Sequence, residues 1–143
     1  MDDRQQLIEL IRQQGLPSSD GVTPLPVVSL EAFFTGNEDP GSIGCNLPEH
    51  PGLPRFLEIL VGIRARPDVQ DVLVEIYEVE ESDPSMWPFS ERIYILTSAD
   101  RDTVAEWVAD LEPDEIEEGY AAGRPAAAPD VTPPNRVLAA WWD

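Results

Sequence analysis

Residues 71–97 constrain this chain more than any other stretch. Val72, Val74 and Ile76 alternate with Leu73, Glu75 and Tyr77, and after a long acidic and aromatic connection Ile93 and Ile95 alternate with Tyr94 and Leu96. A period of two over β-branched and aromatic residues reads as two strands with distinct faces. One face is purely aliphatic. The other keeps Leu73, Tyr77, Tyr94 and Leu96, too apolar for bare water, so a helix, the C-terminal segment or a second subunit is expected to cover it.

The flanking segments supply apolar helical faces that such a sheet can bury. Leu7, Leu10 and Ile11, widened by Ile8, predict a helix over residues 3–14 with Asp2 and Asp3 at its start, Gln5, Gln6, Gln13 and Gln14 outward, and Gly15 and Pro17 ending it. Residues 16–26 are broken by proline, serine and glycine and read as a connector. Val27 and Val28 then form a short extended piece, and Ser29 is the N-cap of a short helix through Phe34 that stops at Gly36.

Between Pro51 and Pro67, Phe56, Ile59, Leu60 and Ile63 repeat at helical spacing, with Leu57 and Val61 broadening the apolar arc. So wide an arc predicts burial on more than one side and makes this the central helix. After the strands, Ser98 or Thr97 is expected to cap a helix whose first turn carries Asp100, with Thr97 and Asp100 at capping-box spacing, ahead of Val104, Trp107, Val108 and Leu111. Residues 114–119 read as one more helical turn ending at Gly119. Residues 123–135, rich in proline and alanine, form an extended, mobile arm. The apolar run 136–143 is expected to dock as an edge strand with one of Trp141 and Trp142 on each face.

These elements predict an α+β fold. A small, mainly antiparallel sheet is packed with three to four helices in a single domain spanning residues 1–143. The length suffices for a core without disulfides or metal.

Chemistry is harder to find. Asn37, Asp39 and Gly41 only partly match a calcium loop, since the glycine and the distal glutamate that loop requires are replaced by Ser42 and Pro48. No lysine follows a glycine run, which removes a phosphate-cradling loop. His50 is the one histidine, so a two-histidine metal motif is excluded; Pro48 and Pro51 bracket it on a turn, and Cys45, five residues before it, reads as a buried small apolar residue and not as a nucleophile paired with it. No catalytic residue, metal ligand or cofactor is assigned.

Charge carries the remaining signal. The chain has 28 acidic residues against 9 basic ones, all arginine, for a net charge of −19. That balance argues against nucleic acid and anionic membrane as partners and favours a basic protein. The single Cys45, the acidic N-terminus and the lack of a long apolar run place the chain in the cytoplasm as an expectation.

Fifteen acidic residues lie between Glu75 and Glu118, offset within that segment by Arg92 and Arg101 alone. Glu78, Glu80, Glu81 and Asp83 lead into Trp87 and Phe89 inside a connection longer than hairpins usually carry. These six residues are the candidate binding surface for a basic protein partner, with Trp87 either an outward anchor or folded back as a cap on the core. The leading functional reading is a non-enzymatic protein-binding module of immunity-protein type. One alternative is an enzyme or small-ligand binder using a cleft near His50, Glu49 and residues 37–44. Another is a subunit of a homo-oligomer, such as a homodimer formed through the mixed sheet face.

Val28-Ser29-Leu30-Glu31-Ala32-Phe33-Phe34, Gly44-Cys45-Asn46, residues 71–76, Trp87-Pro88-Phe89 and Trp141-Trp142-Asp143 resemble the signature of an uncharacterised group of small acidic bacterial proteins. The resemblance covers most of the chain beyond residue 27. It implies no activity and assigns no functional residue.

Overall fold

The structure, a computed structural model, describes residues 2–143. Five strands form one antiparallel sheet: β1 (Val27–Ser29), β2 (Val69–Glu75), β3 (Arg92–Thr97), β4 (Glu115–Glu118) and β5 (Arg136–Trp141), in the order β1-β2-β3-β5-β4. Four helices accompany it: α1 (Asp3–Gln14), α2 (Leu30–Phe34), α3 (Leu53–Arg64) and α4 (Arg101–Trp107). The architecture is α+β, as the alternation and the helical periods predicted.

The alternation places side chains as expected. Val72, Val74, Ile76, Ile93 and Ile95 share a core with Leu138, Ala140 and buried residues from each of the four helices, among them Leu7, Phe33, Phe56, Leu60 and Val104. Val27, Leu73, Tyr94, Leu96 and Ala139 form a second cluster on the opposite face. The two terminal tryptophans divide between faces: Trp142 is 2% exposed in the first core, while Trp141 pairs in register with Arg92 and is half-buried on the second face.

Several expectations need correction. Within the chain the mixed face is covered not by a helix but by the proline-rich arm. Ala128 is 4% exposed there, flanked by Tyr120 and Val131, and Gln70 ties the arm down by donating to the Asp130 carbonyl and accepting from the Thr132 amide. Proline removes donors and fixes φ, so such a segment can cover a sheet without forming an element of its own.

The C-terminal segment does enter the sheet, but its outer side is occupied by β4 instead of lying free at the edge. The expected helical turn at residues 114–119 is this strand. As a helix it would stack like charges three and four residues apart, whereas as an edge strand it buries Ile116 and turns its glutamates outward.

Local caps tell a similar story. Asp2 and Gln5 form a reciprocal capping box at α1, and Ser29 caps α2 through the Ala32 amide. Neither Ser98 nor Thr97 caps α4, and Thr97 is not free to do so. It is still paired in β3, fully buried, with its hydroxyl donating to the Asp68 carbonyl, and Asp100 is the cap through the Thr103 amide.

Leu10 is 44% exposed, because at 100° per residue it lies nearly a third of a turn from the middle of the Leu7, Ile8, Ile11 arc. Gln14 does not simply point outward: its side-chain amide both donates to and accepts from the backbone of Val27, standing in for a neighbouring strand at the free edge of β1. Helix α3 buries Phe56, Leu60 and Ile63 but leaves Val61 exposed, so it is one-sided, not central.

Candidate functional site

The acidic connection is ordered by groups far away in sequence. Strand pairing continues past β2, with the Tyr77 amide donating to the Phe89 carbonyl and the Phe89 amide to Glu78, so the free loop begins near Val79. Arg4 of α1 then inserts its guanidinium into the loop and donates to the carbonyl oxygens of Glu80 (2.7 Å), Glu81 (3.3 Å), Asp83 (3.0 Å) and Met86 (2.8 Å). A cation that satisfies four backbone carbonyls fixes the turn while leaving the carboxylates outside it.

Those carboxylates differ in what they have left to offer. Glu81 is paired with Arg12. Glu80 and Asp83 accept from the backbone and hydroxyl of Ser82 and Ser85, which holds each in a local turn. The Ser85 hydroxyl first, then its amide, with Arg4 nearby, keep the Asp83 carboxyl below the usual range, so it stays ionised. Glu78 is exposed on the flank. Counting charges along the chain overstated the acidity here, because α1 brings two arginines to a segment whose own sequence contains none before Arg92.

Trp87 faces inward. It is 7% exposed, belongs to the main core, and its backbone amide donates to Asp39 Oδ2. Phe89 is half-buried with its ring 6.0 Å from Tyr77. The apolar groups that do reach solvent around the loop are Met86 and Tyr77, 45% and 49% exposed.

Beside the loop, Asp2, Asp3, Glu38 and Asp39, against the single cation Arg4, line with Pro84 and Trp87 an open hollow of about 400 Å³. Gly36 sits under it with φ of 77°, where an added Cβ would collide with the Asp3 carboxylate. Only glycine permits both that backbone angle and that approach.

The region around His50 is differently built. Its Nδ1 accepts from the Gly52 amide at 2.9 Å, which leaves Nε2 to carry the proton and donate to the Ile43 carbonyl at 2.8 Å. Both nitrogens are engaged, and the ring packs on Phe56. Asn37 and Asp39 are likewise occupied in holding residues 33–42 and the Trp87 backbone. A cleft of about 520 Å³ does open nearby, but it is lined by Gly44, Glu49, Glu112, Asp114 and Trp142, without the imidazole.

Sequence reasoning missed the polar cluster on the second face. Glu75, 3% exposed at the end of β2, accepts from Arg92 at 3.2 Å on one oxygen and from the Tyr94 hydroxyl at 2.5 Å on the other. The Tyr94 hydroxyl in turn accepts from the Ala121 amide. Burial first, then the charge of Glu75 and its hydrogen bond, push the Tyr94 phenol up, so it remains a donor.

Above this cluster lies a cleft of about 590 Å³ walled by Leu16, Leu25, Tyr77, Glu78 and Ala122, with Glu75 and Arg92 at its floor. The signal was present: Glu75 is the sole charge between Val72 and Tyr77, and a lone carboxylate in an apolar strand needs a partner. The register that supplies Arg92 opposite it was not readable.

Residues 2–140 match the family model described as the Uncharacterized protein YfbO family. The chain is also 37% identical over 122 residues to the Escherichia coli (strain K12) protein called Uncharacterized protein YfbO, a match that covers 85% of each chain. No solved structure matches at a significant level.

Proposed function

The chain belongs to the YfbO family, and we propose that it is a binding protein that docks a basic protein partner on the outward carboxylates of residues 78–83 and the acidic hollow beside them. One observation carries the reading: Arg4 orders the loop from within through four carbonyl oxygens, so Glu78, Glu80 and Asp83 are displayed on a backbone that has little left to lose on association. Long-range attraction from a chain of net charge −19 raises the encounter rate of a cationic partner, and the hollow offers a socket for one of its side chains. Met86 supplies the apolar contact that Trp87, turned inward, does not.

The reading that centred a site on His50 gains no support from an imidazole with both nitrogens bonded. No helix among the described residues is long and apolar enough to cross a membrane, and Cys45, expected from the sequence to be buried, is a free, exposed thiol.

The test is titration of the labelled protein with an arginine- and lysine-rich peptide at low salt, followed by amide shifts. Shifts are expected at residues 78–86 and at Asp3 and Glu38. Reversing Glu78, Glu80 and Asp83 to lysine should weaken binding by about tenfold or more and flatten its salt dependence. Glu81 is left alone because Arg12 already neutralises it. Equal affinity in the reversed variant, or shifts confined to another surface, overturns the proposal.

A further inference from the structure

We propose that the cleft over Glu75 and Arg92 binds a neutral small molecule that carries a carbonyl acceptor on an apolar body, with the acceptor on Arg92 and the body against Tyr77, Leu16 and Leu25. This site lies on the second sheet face and shares only Glu78, at its wall, with the acidic loop surface.

Hydrogen bonding at the floor leaves one group incomplete. Both oxygens of Glu75 are taken, and the Tyr94 hydroxyl already donates once and accepts once. Arg92 is different. Its side chain is only 18% exposed and, among the described residues, gives a single hydrogen bond, to Glu75. The remaining N–H groups of the guanidinium have no protein acceptor, in a cleft that Arg92 itself lines. A largely buried charged donor favours any occupant that completes it.

Charge decides what kind of acceptor fits. The positive charge of Arg92 is already balanced by Glu75, and Glu78 stands at the wall. A carboxylate or phosphate would add an unbalanced anion beside these groups in a chain of net charge −19, and a cation would meet the guanidinium. A neutral carbonyl, as in an amide, lactam or nucleobase, accepts from Arg92 without either penalty.

The size and walls agree. A volume of about 590 Å³ lies within the range of small-molecule sites. Leu16 and Tyr77, each 49% exposed, are large apolar side chains left at its wall, where an occupant would shield them.

Three probes of one shape separate the possibilities: benzamide, benzoate and benzamidinium, each titrated into the full-length labelled protein while the Arg92 side-chain signals and the Tyr77 and Ala122 amides are followed. Benzamide is expected to shift these signals, with the two ions at least about fivefold weaker there. Ala122→Trp, which fills the cleft without touching the polar cluster, should abolish the benzamide shifts. Arg92→Lys, which keeps a cation for Glu75 but loses the planar fork, should weaken them by about fivefold or more. The proposal is overturned if none of the three moves the cleft signals, if benzamidinium or benzoate binds there best, or if both variants bind benzamide as the native chain does.

Discussion

The two faces of the sheet are built by different means. The first is closed by four helices whose apolar residues interlock with valine and isoleucine, and among the described residues it holds no buried ion pair. The second is closed by irregular chain, the proline-rich arm with Tyr120 just before it, and one end stays open above a buried ion pair and a tyrosine. Helices bring their own satisfied backbone and can seal a face completely. An arm seals only where its few side chains reach, and the polar groups and the cleft collect where it stops short.

The largest expected effect tests whether the helical face is a close-packed core. Phe56 is fully buried between the rings of His50 and Trp142. Phe56→Ala should cost about 4 kcal/mol in urea unfolding. A loss under about 1.5 kcal/mol would mean that this face relaxes as readily as the other, and the contrast would fail.

A smaller effect probes the second face. Arg92→Met leaves the Glu75 carboxylate buried with only the Tyr94 hydroxyl, which should cost about 3 kcal/mol, while the double variant Glu75→Leu with Arg92→Met should recover most of that loss. If the single variant proves nearly neutral, water from the cleft solvates Glu75 and this end of the face is effectively surface.

The smallest effect assigns alkaline sensitivity to the second face alone. The Tyr94 phenol is raised above its ordinary value, so the folded state keeps a proton that the unfolded chain gives up above about pH 10. Stability is therefore full below that pH and declines above it, by at most about 1.4 kcal/mol per pH unit. Unfolding midpoints measured on either side of pH 10 should show this decline, and Tyr94→Phe should reduce it, leaving the part due to Tyr120, which burial also raises. An unchanged slope in Tyr94→Phe would remove the second face from the explanation.

The same contrast explains what could be read from sequence. Phe56, Leu60 and Ile63 at helical spacing and Val72, Val74 and Ile76 at strand spacing announce the first face, since periodicity is the imprint of a regular element on a core. Ser29 was legible as a cap because its chemistry is local. Ala128 and Val131 were not legible as a lid, because an extended arm has no period and its docking depends on Gln70 about sixty positions away. Arg4 and Arg12, which order and partly neutralise the acidic loop, lie 69 to 82 positions before their partners. Trp87 could be named as decisive, but its direction depends on Asp39 and the core behind it, which no local pattern encodes.

The position of β5 has a consequence for synthesis on the ribosome. It joins β3 to β4, so the sheet remains in two unconnected parts until residues 136–141 have emerged from the exit tunnel. Until then Ile93, Ile95, Tyr94 and Leu96 present an unprotected hydrogen-bonding edge, the kind that recruits other nascent chains. The abundant carboxylates that precede β5 in translation order would keep such half-made chains apart by mutual repulsion.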